Sequence, residues 1–364
     1  IRLSLVGSEM CIRDRSTMGL MGARELLAKN GYSLHPNRAD LDAFYRRVFR
    51  AYERVFQRCQ VEVRAVEGDP GPMADVPSDE FAALHESGED VLFICDGCGY
   101  SANAEIATAA RPAAVEQPQG SLERVATPGA TTIEDLTSYL GVPAHQTLKT
   151  LFYVVDGELV FVVIRGDLDV NEARLARLLR AGQLRLADDE ETRRAGITAG
   201  YASPVGHSGK LRVVGDESIK SATNFVAGAN EEGYHLRNVN YPRDFSVDVM
   251  GGFAAVSEGD PCTGCGTPLR SVRGIKLAHL RRPAASSSER LGATFLDSTG
   301  RPQPLVMGCY SIDLSSLLCA VVEQHHDEEG IVWPPLIAPC HVHLLSLGDR
   351  PEVREVAEAV YADL

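Results

Sequence analysis

Two pairs of cysteines have the spacing of metal ligands in this chain of 364 residues. The first C-x-x-C pair is Cys95 and Cys98. The second is Cys262 and Cys265, and a glycine follows each pair. Because such a turn in a zinc knuckle points both sulfurs at one metal ion, the pairs predict structural Zn²⁺ ligands. Four free thiols are the alternative, and the long separation of the pairs in sequence counts against a shared site.

A polar segment, NFVAGANEEGYHLRNVNYPRDF, spans residues 224–245 and places His235 among asparagines and aromatic residues. Asparagine, glycine and aspartate favour turns, and their side chains compete for backbone hydrogen bonds. Composition alone therefore favours a polar loop that crosses a small sheet. A single histidine in such a loop is more often structural than functional.

The composition limits the class of protein. A length of 364 residues allows two or three domains, and a net charge of −14 argues against non-specific coating of nucleic acid. No apolar run reaches membrane-spanning length, which predicts a cytoplasmic protein without a membrane partner. The cysteines outside the two pairs are expected to be small core residues: Cys11, Cys59, Cys309, Cys319 and Cys340.

The elements that position these residues follow from hydrophobic periodicity. Residues 22–57 have apolar side chains at three- and four-residue spacing, which predicts a helix capped by Asn37. Val91–Cys95 is predicted as a buried strand, and Ala102–Thr108 as the start of a helix. Residues 111–129 are rich in Pro, Ala and Gln and predict a linker.

After the linker the pattern indicates a new domain. Thr131–Gly141 is an amphipathic helix with a capping threonine, and Leu148–Asp167 is a hairpin with Asp156 and Gly157 at its turn. Val170–Gly182 is a further helix. Its three arginines are predicted to form a solvated face rather than a contact to phosphates: Arg174, Arg177 and Arg180.

Several blocks of the chain match one family in order. They are ARELLAKNGYSLH (23–35), SGEDVLFICDGCGYSANAEIA (87–107), RGIKLAHLRRPAASSSERLGATF (273–295) and GCYSIDLSSLLCAVVEQHHDEEGIVWPPLIAP (308–339). From residue 22 onward the chain resembles bacterial-type prolyl-tRNA synthetases, which are class II synthetases. The resemblance implies an α+β fold in which a partial class II antiparallel sheet with helices is interrupted by an inserted α/β editing domain, similar to aminoacyl-tRNA deacylases.

The resemblance also implies a domain division. The first part of the class II catalytic domain is 17–118, the inserted editing domain 119–246, the second part of the catalytic domain 247–339, and the start of a truncated anticodon-binding domain (its first strand and helix) 340–364. Residues 1–16 look like a translated adapter sequence, with a native strand as the alternative. Because an insertion leaves and rejoins its host at neighbouring points, the two cysteine pairs are expected to form one Cys₄ zinc site at its base.

The family's editing positions are all present: Lys149, Gly200, Pro204, Asp216 and His235. The resemblance implies hydrolysis of alanine wrongly attached to tRNA(Pro). It assigns Lys149 to the tRNA 3′ end, residues 200–204 to the scissile ester and the exclusion of proline, and His235 to the alanyl group. An ester hydrolase without metal or nucleophile needs a positioned water and oxyanion donors, which loop N–H groups can supply.

The family's aminoacyl-adenylate positions are only partly kept. They fall on Ser78, Glu80, His279 and Ser316. In the family Ser316 is an arginine, and Ser311 and Asp313 are glycines. Because serine cannot replace the charge and planar donors of arginine, we expect weak use of ATP and Mg²⁺. By resemblance the partners are tRNA(Pro), proline and alanine, and the assembly is a homodimer.

Three hypotheses remain from the sequence. The chain is part of a synthetase that both ligates and edits, or a degenerate paralogue that keeps only deacylation or tRNA binding, or a non-catalytic regulatory module. Family resemblance favours the first, and the residues of the ATP site favour the second. ATP–pyrophosphate exchange separates these two, and hydrolysis of Ala-tRNA(Pro) separates the second from the third.

Overall fold

The computed structural model describes residue 20 and residues 26–70, 76–111, 117–207 and 211–364. The predicted non-native segment at residues 1–16 and Cys11 lie outside these ranges. The strands are β1 Ala28–His35, β2 Arg64–Gly68, β3 Ser78–Leu84, β4 Asp90–Ile94, β5 Ser101–Asn103, β6 Glu123–Ala126, β7 Leu148–Val155, β8 Glu158–Arg165, β9 Leu184–Leu186, β10 Arg212–Asp216, β11 Phe225–Gly228, β12 Tyr234–Val239, β13 Val249–Gly251, β14 Arg270–Arg281, β15 Thr294–Leu296, β16 Pro302–Pro304, β17 Val306–Asp313, β18 His326–Asp327 and β19 Gly330–Ile331. The α-helices are α1 Arg38–Arg58, α2 Ile133–Leu140, α3 Glu172–Leu179, α4 Asp189–Arg194, α5 Ala285–Arg290, α6 Leu314–Gln324 and α7 Pro351–Asp363.

The larger sheet has seven strands in the order β1-β17-β14-β3-β2-β5-β4. Its pairings are antiparallel except between β2 and β5, which meet in parallel at Glu67 and Ala102. The long strand β14 also pairs with β4, so the last strand in this order is joined back to the middle of the sheet. Helix α1 lies against the sheet and buries Tyr52 and Phe56 around Phe81.

A five-stranded sheet, ordered β13-β10-β8-β7-β9, and a three-stranded sheet, ordered β11-β12-β6, form the middle of the chain. The hairpin of β7 and β8 turns at Asp156 and Gly157, both with positive φ, which confirms the predicted hairpin. Helix α2 begins after Thr132 and ends at Gly141 in the left-handed region, again as predicted. Because β13 belongs to this sheet, the middle unit continues beyond the predicted boundary at residue 246.

The middle unit is joined to the larger sheet by hydrogen bonds between chain segments far apart in sequence. Ala109 and Cys262 form an antiparallel bridge where the chain leaves for the middle unit and returns from it. Arg174 on α3 is half-buried and donates to the Ala107 carbonyl, and Arg177 pairs with Asp69 at 2.6 Å. The prediction of a solvated arginine face is therefore wrong for Arg174, whereas the Arg177 side chain remains 45% exposed.

Four further predictions are corrected by pairing and exposure. Residues 28–35 form β1 rather than helix, because they pair with β17 along its whole length. Residues 101–103 pair with β4 and then turn, so the predicted helix at 102–108 is absent. No strand occurs in residues 340–350, all of them described, since no neighbouring segment pairs with them, whereas α7 does form. Cys340 is exposed and is not a core residue.

None of the helices in the described ranges has the length and apolar content that a bilayer crossing requires.

Candidate functional site

A cavity of about 430 Å³ opens in the middle unit between α2, β7 and the loop that precedes Ala202. Three of the five predicted editing residues line it: Lys149, Gly200 and His235. Apolar side chains such as Ile133 and Leu136 line it as well. The structure thus brings together predicted editing residues that are as far apart in sequence as Lys149 and His235.

His235 reaches the cavity from β12, which pairs with β6. Its side chain is buried, its Nδ1 lies 2.6 Å from Thr127 Oγ1, and its ring packs 5.3 Å from that of Tyr201. Burial lowers the pKa of His235 to about 4, so the ring is neutral at neutral pH. Because Nδ1 is engaged by Thr127, Nε2 is the ring nitrogen that remains for a ligand. Sequence reasoning missed Thr127, since only the β6–β12 pairing makes it a neighbour of His235.

Lys149 lies on β7 opposite Ile164 of β8. Its Nζ donates to the Leu168 carbonyl at 2.9 Å and to Asp169 Oδ1 at 2.7 Å. An ammonium group has three donors, so one N–H remains for a bound ligand. The side chain is one quarter exposed, and Lys149 is among the residues that line the cavity.

The loop at residues 200–204 is held closely against β11. Gly228 packs so tightly that a Cβ there would lie 2.1 Å from the Tyr201 carbonyl oxygen. Asn230 accepts a hydrogen bond from Ser203 N and donates its own N–H to Tyr201 O, both at 2.8 Å. Gly200 has a φ of +79°. The backbone at the cavity is therefore fixed, as oxyanion donors require.

Two predicted editing residues lie outside the lining of this cavity. Pro204 is buried at the end of the loop. Asp216 is 2% exposed, and its carboxylate accepts hydrogen bonds from the backbone amides of Ser218, Phe253 and Ala254. These bonds give Asp216 a structural role, because they tie β10 to the segment that returns to the larger sheet.

A second cavity of about 290 Å³ lies at the edge of the larger sheet and contains Ser316. Its lining includes the carboxylates of Glu89, Asp90 and Asp313 and the ammonium of Lys276. Asp313 caps α6 by accepting from Ser316 N at 3.0 Å. With three carboxylates against one ammonium, the lining repels a triphosphate that is not accompanied by a cation such as Mg²⁺.

Ser78, Glu80 and His279 meet on neighbouring strands of the larger sheet. His279 Nε2 lies 2.7 Å from Ser78 Oγ and 3.6 Å from Glu80 Oε1. Burial, with smaller contributions from Arg281 and Lys276, lowers the pKa of His279 to about 3. Burial raises the pKa of Glu80, and Lys276 at 3.6 Å opposes that shift. Ser316 is not part of this cluster.

The four predicted metal ligands form one cluster, in which all sulfur atoms lie within 4.8 Å of one another. Cys95 and Cys265 are 3.4 Å apart, and Cys98 and Cys262 are 3.6 Å apart. Tetrahedral Zn²⁺ with Zn–S bonds of about 2.3 Å separates its sulfurs by roughly 3.8 Å, so the cluster is compatible with zinc.

The turns around the cluster have knuckle geometry. Gly99 and Gly266 follow the pairs with φ of +80° and +76°, and each donates its N–H to the carbonyl of the first cysteine of its pair. Gly264 N lies 3.4 Å from Cys262 Sγ. The backbone thus holds both pairs in the orientation that a shared metal requires.

Comparison with known proteins gives one matching domain family and many relatives that match this chain over nearly its whole length. The aminoacyl-tRNA editing domain family matches residues 127–244. The proline–tRNA ligase of Dehalococcoides mccartyi strain 195 is 42% identical over 364 residues, which cover 100% of this chain, residues 1–16 included, and 64% of the relative. The corresponding ligase of Salinispora tropica is 44% identical over 360 residues, covering 96% of this chain and 60% of the relative. That of Halothermothrix orenii is 40% identical over 366 residues, covering 100% and 64%. The chain thus spans 60–64% of the length of these relatives.

Proposed function

We propose that the chain is part of a protein of the proline–tRNA ligase family, and that its editing domain hydrolyses alanine wrongly attached to tRNA(Pro). The observation that supports this most strongly is the shared cavity of Lys149, His235 and the Gly200 loop. It offers a cation, a neutral imidazole and a fixed backbone within one space, and these are the groups that binding of an aminoacylated 3′ end requires.

In the proposed mechanism each group has one task. The Lys149 ammonium binds the negatively charged 3′ end of the tRNA through its remaining N–H. His235 Nε2 orients the alanyl group, with Thr127 fixing the ring. The backbone N–H groups of Gly200 and Ala202 in the 200–204 loop stabilise the negative charge that develops on the carbonyl oxygen as a water molecule attacks the ester, because those of Tyr201 and Ser203 already donate within the protein. Asp216 and Pro204 support the loop and its surroundings without touching the substrate.

The test is hydrolysis of Ala-tRNA(Pro) by the purified chain, with Pro-tRNA(Pro) as the substrate that should survive. We expect Lys149→Ala to abolish hydrolysis, because Lys149 is the only lysine or arginine among the described residues that line the cavity. Lys220→Ala is the matched control, since Lys220 is an exposed lysine of the same unit outside the cavity. Full activity of Lys149→Ala would remove the cavity from the mechanism.

A second proposed activity is the family's ATP-dependent attachment of proline to tRNA(Pro), carried by the larger sheet as a partial class II catalytic domain with ATP and Mg²⁺. We propose that it is weak in this chain. The cavity at Ser316 supports this, because it holds three carboxylates and lacks the family's arginine. Proline-dependent ATP–pyrophosphate exchange measures it directly, and robust exchange would contradict the proposal.

We also propose that the cysteine cluster holds one structural Zn²⁺, and that the chain forms a homodimer as the resemblance implies. A Cys₄ set leaves zinc no open position, so the ion would stabilise the junction and take no part in hydrolysis. Metal analysis of protein purified without chelator measures the zinc content of the cluster. Light scattering after size-exclusion chromatography measures the molar mass and so tests the dimer.

A further inference from the structure

We propose that Asp169 is a positioning residue for Lys149, an inference that rests on the proposed editing function. Asp169 Oδ1 accepts from Lys149 Nζ at 2.7 Å, and the neighbouring Leu168 carbonyl accepts from the same nitrogen at 2.9 Å. Two of the three ammonium donors are thus used by adjacent residues of one loop. The third donor is then oriented by the other two.

The loop that carries these acceptors is anchored outside the cavity. The Asp169 carbonyl accepts from Ala255 N at 2.8 Å, and Val170 forms an antiparallel bridge with Ala254. Asn171 N donates to Phe253 O at 2.8 Å. Residues 253–255 belong to the segment that returns to the larger sheet. The position of Lys149 is therefore set from the junction between the two units.

The Asp169 backbone is anchored by the hydrogen bond that its carbonyl accepts from Ala255 N, and this distinguishes the pair from an ordinary surface salt bridge. The Asp169 side chain is 83% exposed, so the pair contributes little to folding stability. A lysine side chain has four rotatable bonds and much rotamer freedom, so two acceptors on an anchored stretch of backbone restrict where its charge can lie. We therefore expect the contribution of Asp169 to appear in the rate of the bound complex.

Asp169 also competes with the substrate for the same ammonium. A carboxylate close to Lys149 weakens the attraction between the lysine and a phosphate group of the tRNA. Its removal should therefore leave KM unchanged or lower it, while kcat falls because the lysine is no longer oriented. Loss of a residue that only supported the fold would not separate the two constants in this way.

The experiment compares Asp169→Ala and Asp169→Asn with Asp167→Asn in steady-state hydrolysis of Ala-tRNA(Pro). Asp167 lies in the same loop but pairs with Arg165 rather than with Lys149, so it is the matched control. We expect kcat to fall about 10-fold in Asp169→Ala, less in Asp169→Asn because an amide oxygen still accepts, and not at all in the control. An unchanged kcat in Asp169→Ala, or an equal loss in Asp167→Asn, overturns the proposal.

A second measurement is independent of catalysis. The rate at which an amine-reactive acylating reagent labels Lys149 should rise several-fold in Asp169→Ala and stay constant in Asp167→Asn, as read by mass spectrometry. An unchanged labelling rate contradicts the positioning role even if the enzyme assay shows no hydrolysis. Absence of hydrolysis by the unmodified chain, or full activity of Lys149→Ala, would instead count against the proposed function.

Discussion

Thr127 Oγ1 and His235 Nδ1 lie 2.6 Å apart, and the two side chains are 0% and 4% exposed. We expect Thr127→Val to reduce hydrolysis of Ala-tRNA(Pro) about 10-fold, because valine keeps the shape and leaves the imidazole free to rotate. The buried Nδ1 also loses its partner, which should lower the free energy of unfolding by about 1–3 kcal/mol. Kinetic assays and urea unfolding measure the two effects. Thr137→Val on the exposed face of α2 is the control, and equal losses in both variants would contradict the role of Thr127.

The stability of the chain should fall as pH decreases through the range set by His235. Its folded pKa of about 4 lies below the ordinary histidine pKa of 6.5, so the unfolded state binds the proton more tightly. The contribution is complete above pH 6.5 and is lost progressively down to pH 4. Between pH 7 and pH 5 we expect the wild-type protein to lose about 2 kcal/mol more than His235→Asn in urea unfolding. Equal losses in the two proteins would show that His235 is not buried in the neutral form.

Zinc binding should depend on all four clustered cysteines. We expect about one equivalent of zinc per chain, and Cys95→Ser should lose the metal because a serine hydroxyl is a poor Zn²⁺ ligand. The same variant should melt at a lower temperature, since the metal links the two sides of the junction. Cys340→Ser is the control, because Cys340 is exposed and lies outside the cluster. Full zinc content in Cys95→Ser would exclude the Cys₄ site.

Proline activation should respond to restoration of the third signature motif. We expect the combined change Ser311→Gly, Asp313→Gly and Ser316→Arg to raise proline-dependent ATP–pyrophosphate exchange at least about 10-fold, because it removes a carboxylate and supplies an arginine. Loss of the Asp313 cap should cost about 1 kcal/mol of stability. Leu318→Arg on the exposed face of α6 controls for added charge. A gain of the same size in that control would contradict the assignment of Ser316.

Local chemistry decided which parts of the fold could be predicted from the sequence. The turn at Asp156 and Gly157 and the caps at Thr132 and Gly141 were predicted correctly, because a few adjacent residues determine each of them. The periodicity of residues 28–35 predicts a helix, whereas the strand that they form depends on pairing with β17, about 280 positions later. Pairing between distant segments is invisible to periodicity.

The residues of the candidate site also fall into two groups, those that the sequence motifs predict and those that only the structure reveals. Lys149 and His235 were identified because they lie in motifs that the family shares. Thr127 and Asp169 were missed, because their importance comes only from contacts across strands and loops. Asp216 lies in a family motif too, yet its carboxylate accepts hydrogen bonds from three backbone amides and lies outside the cavity lining. A motif locates a residue near a site without showing which way its side chain is used.

The bridge between Ala109 and Cys262 has an evolutionary consequence. The outgoing and returning chain lie side by side there, and Ala110 N donates to Pro261 O at 2.8 Å. A short turn could join these two points directly and leave the order of the seven-stranded sheet unchanged. The middle unit could therefore be gained or lost during evolution as a single insertion, without a change in the path of the chain through the larger sheet.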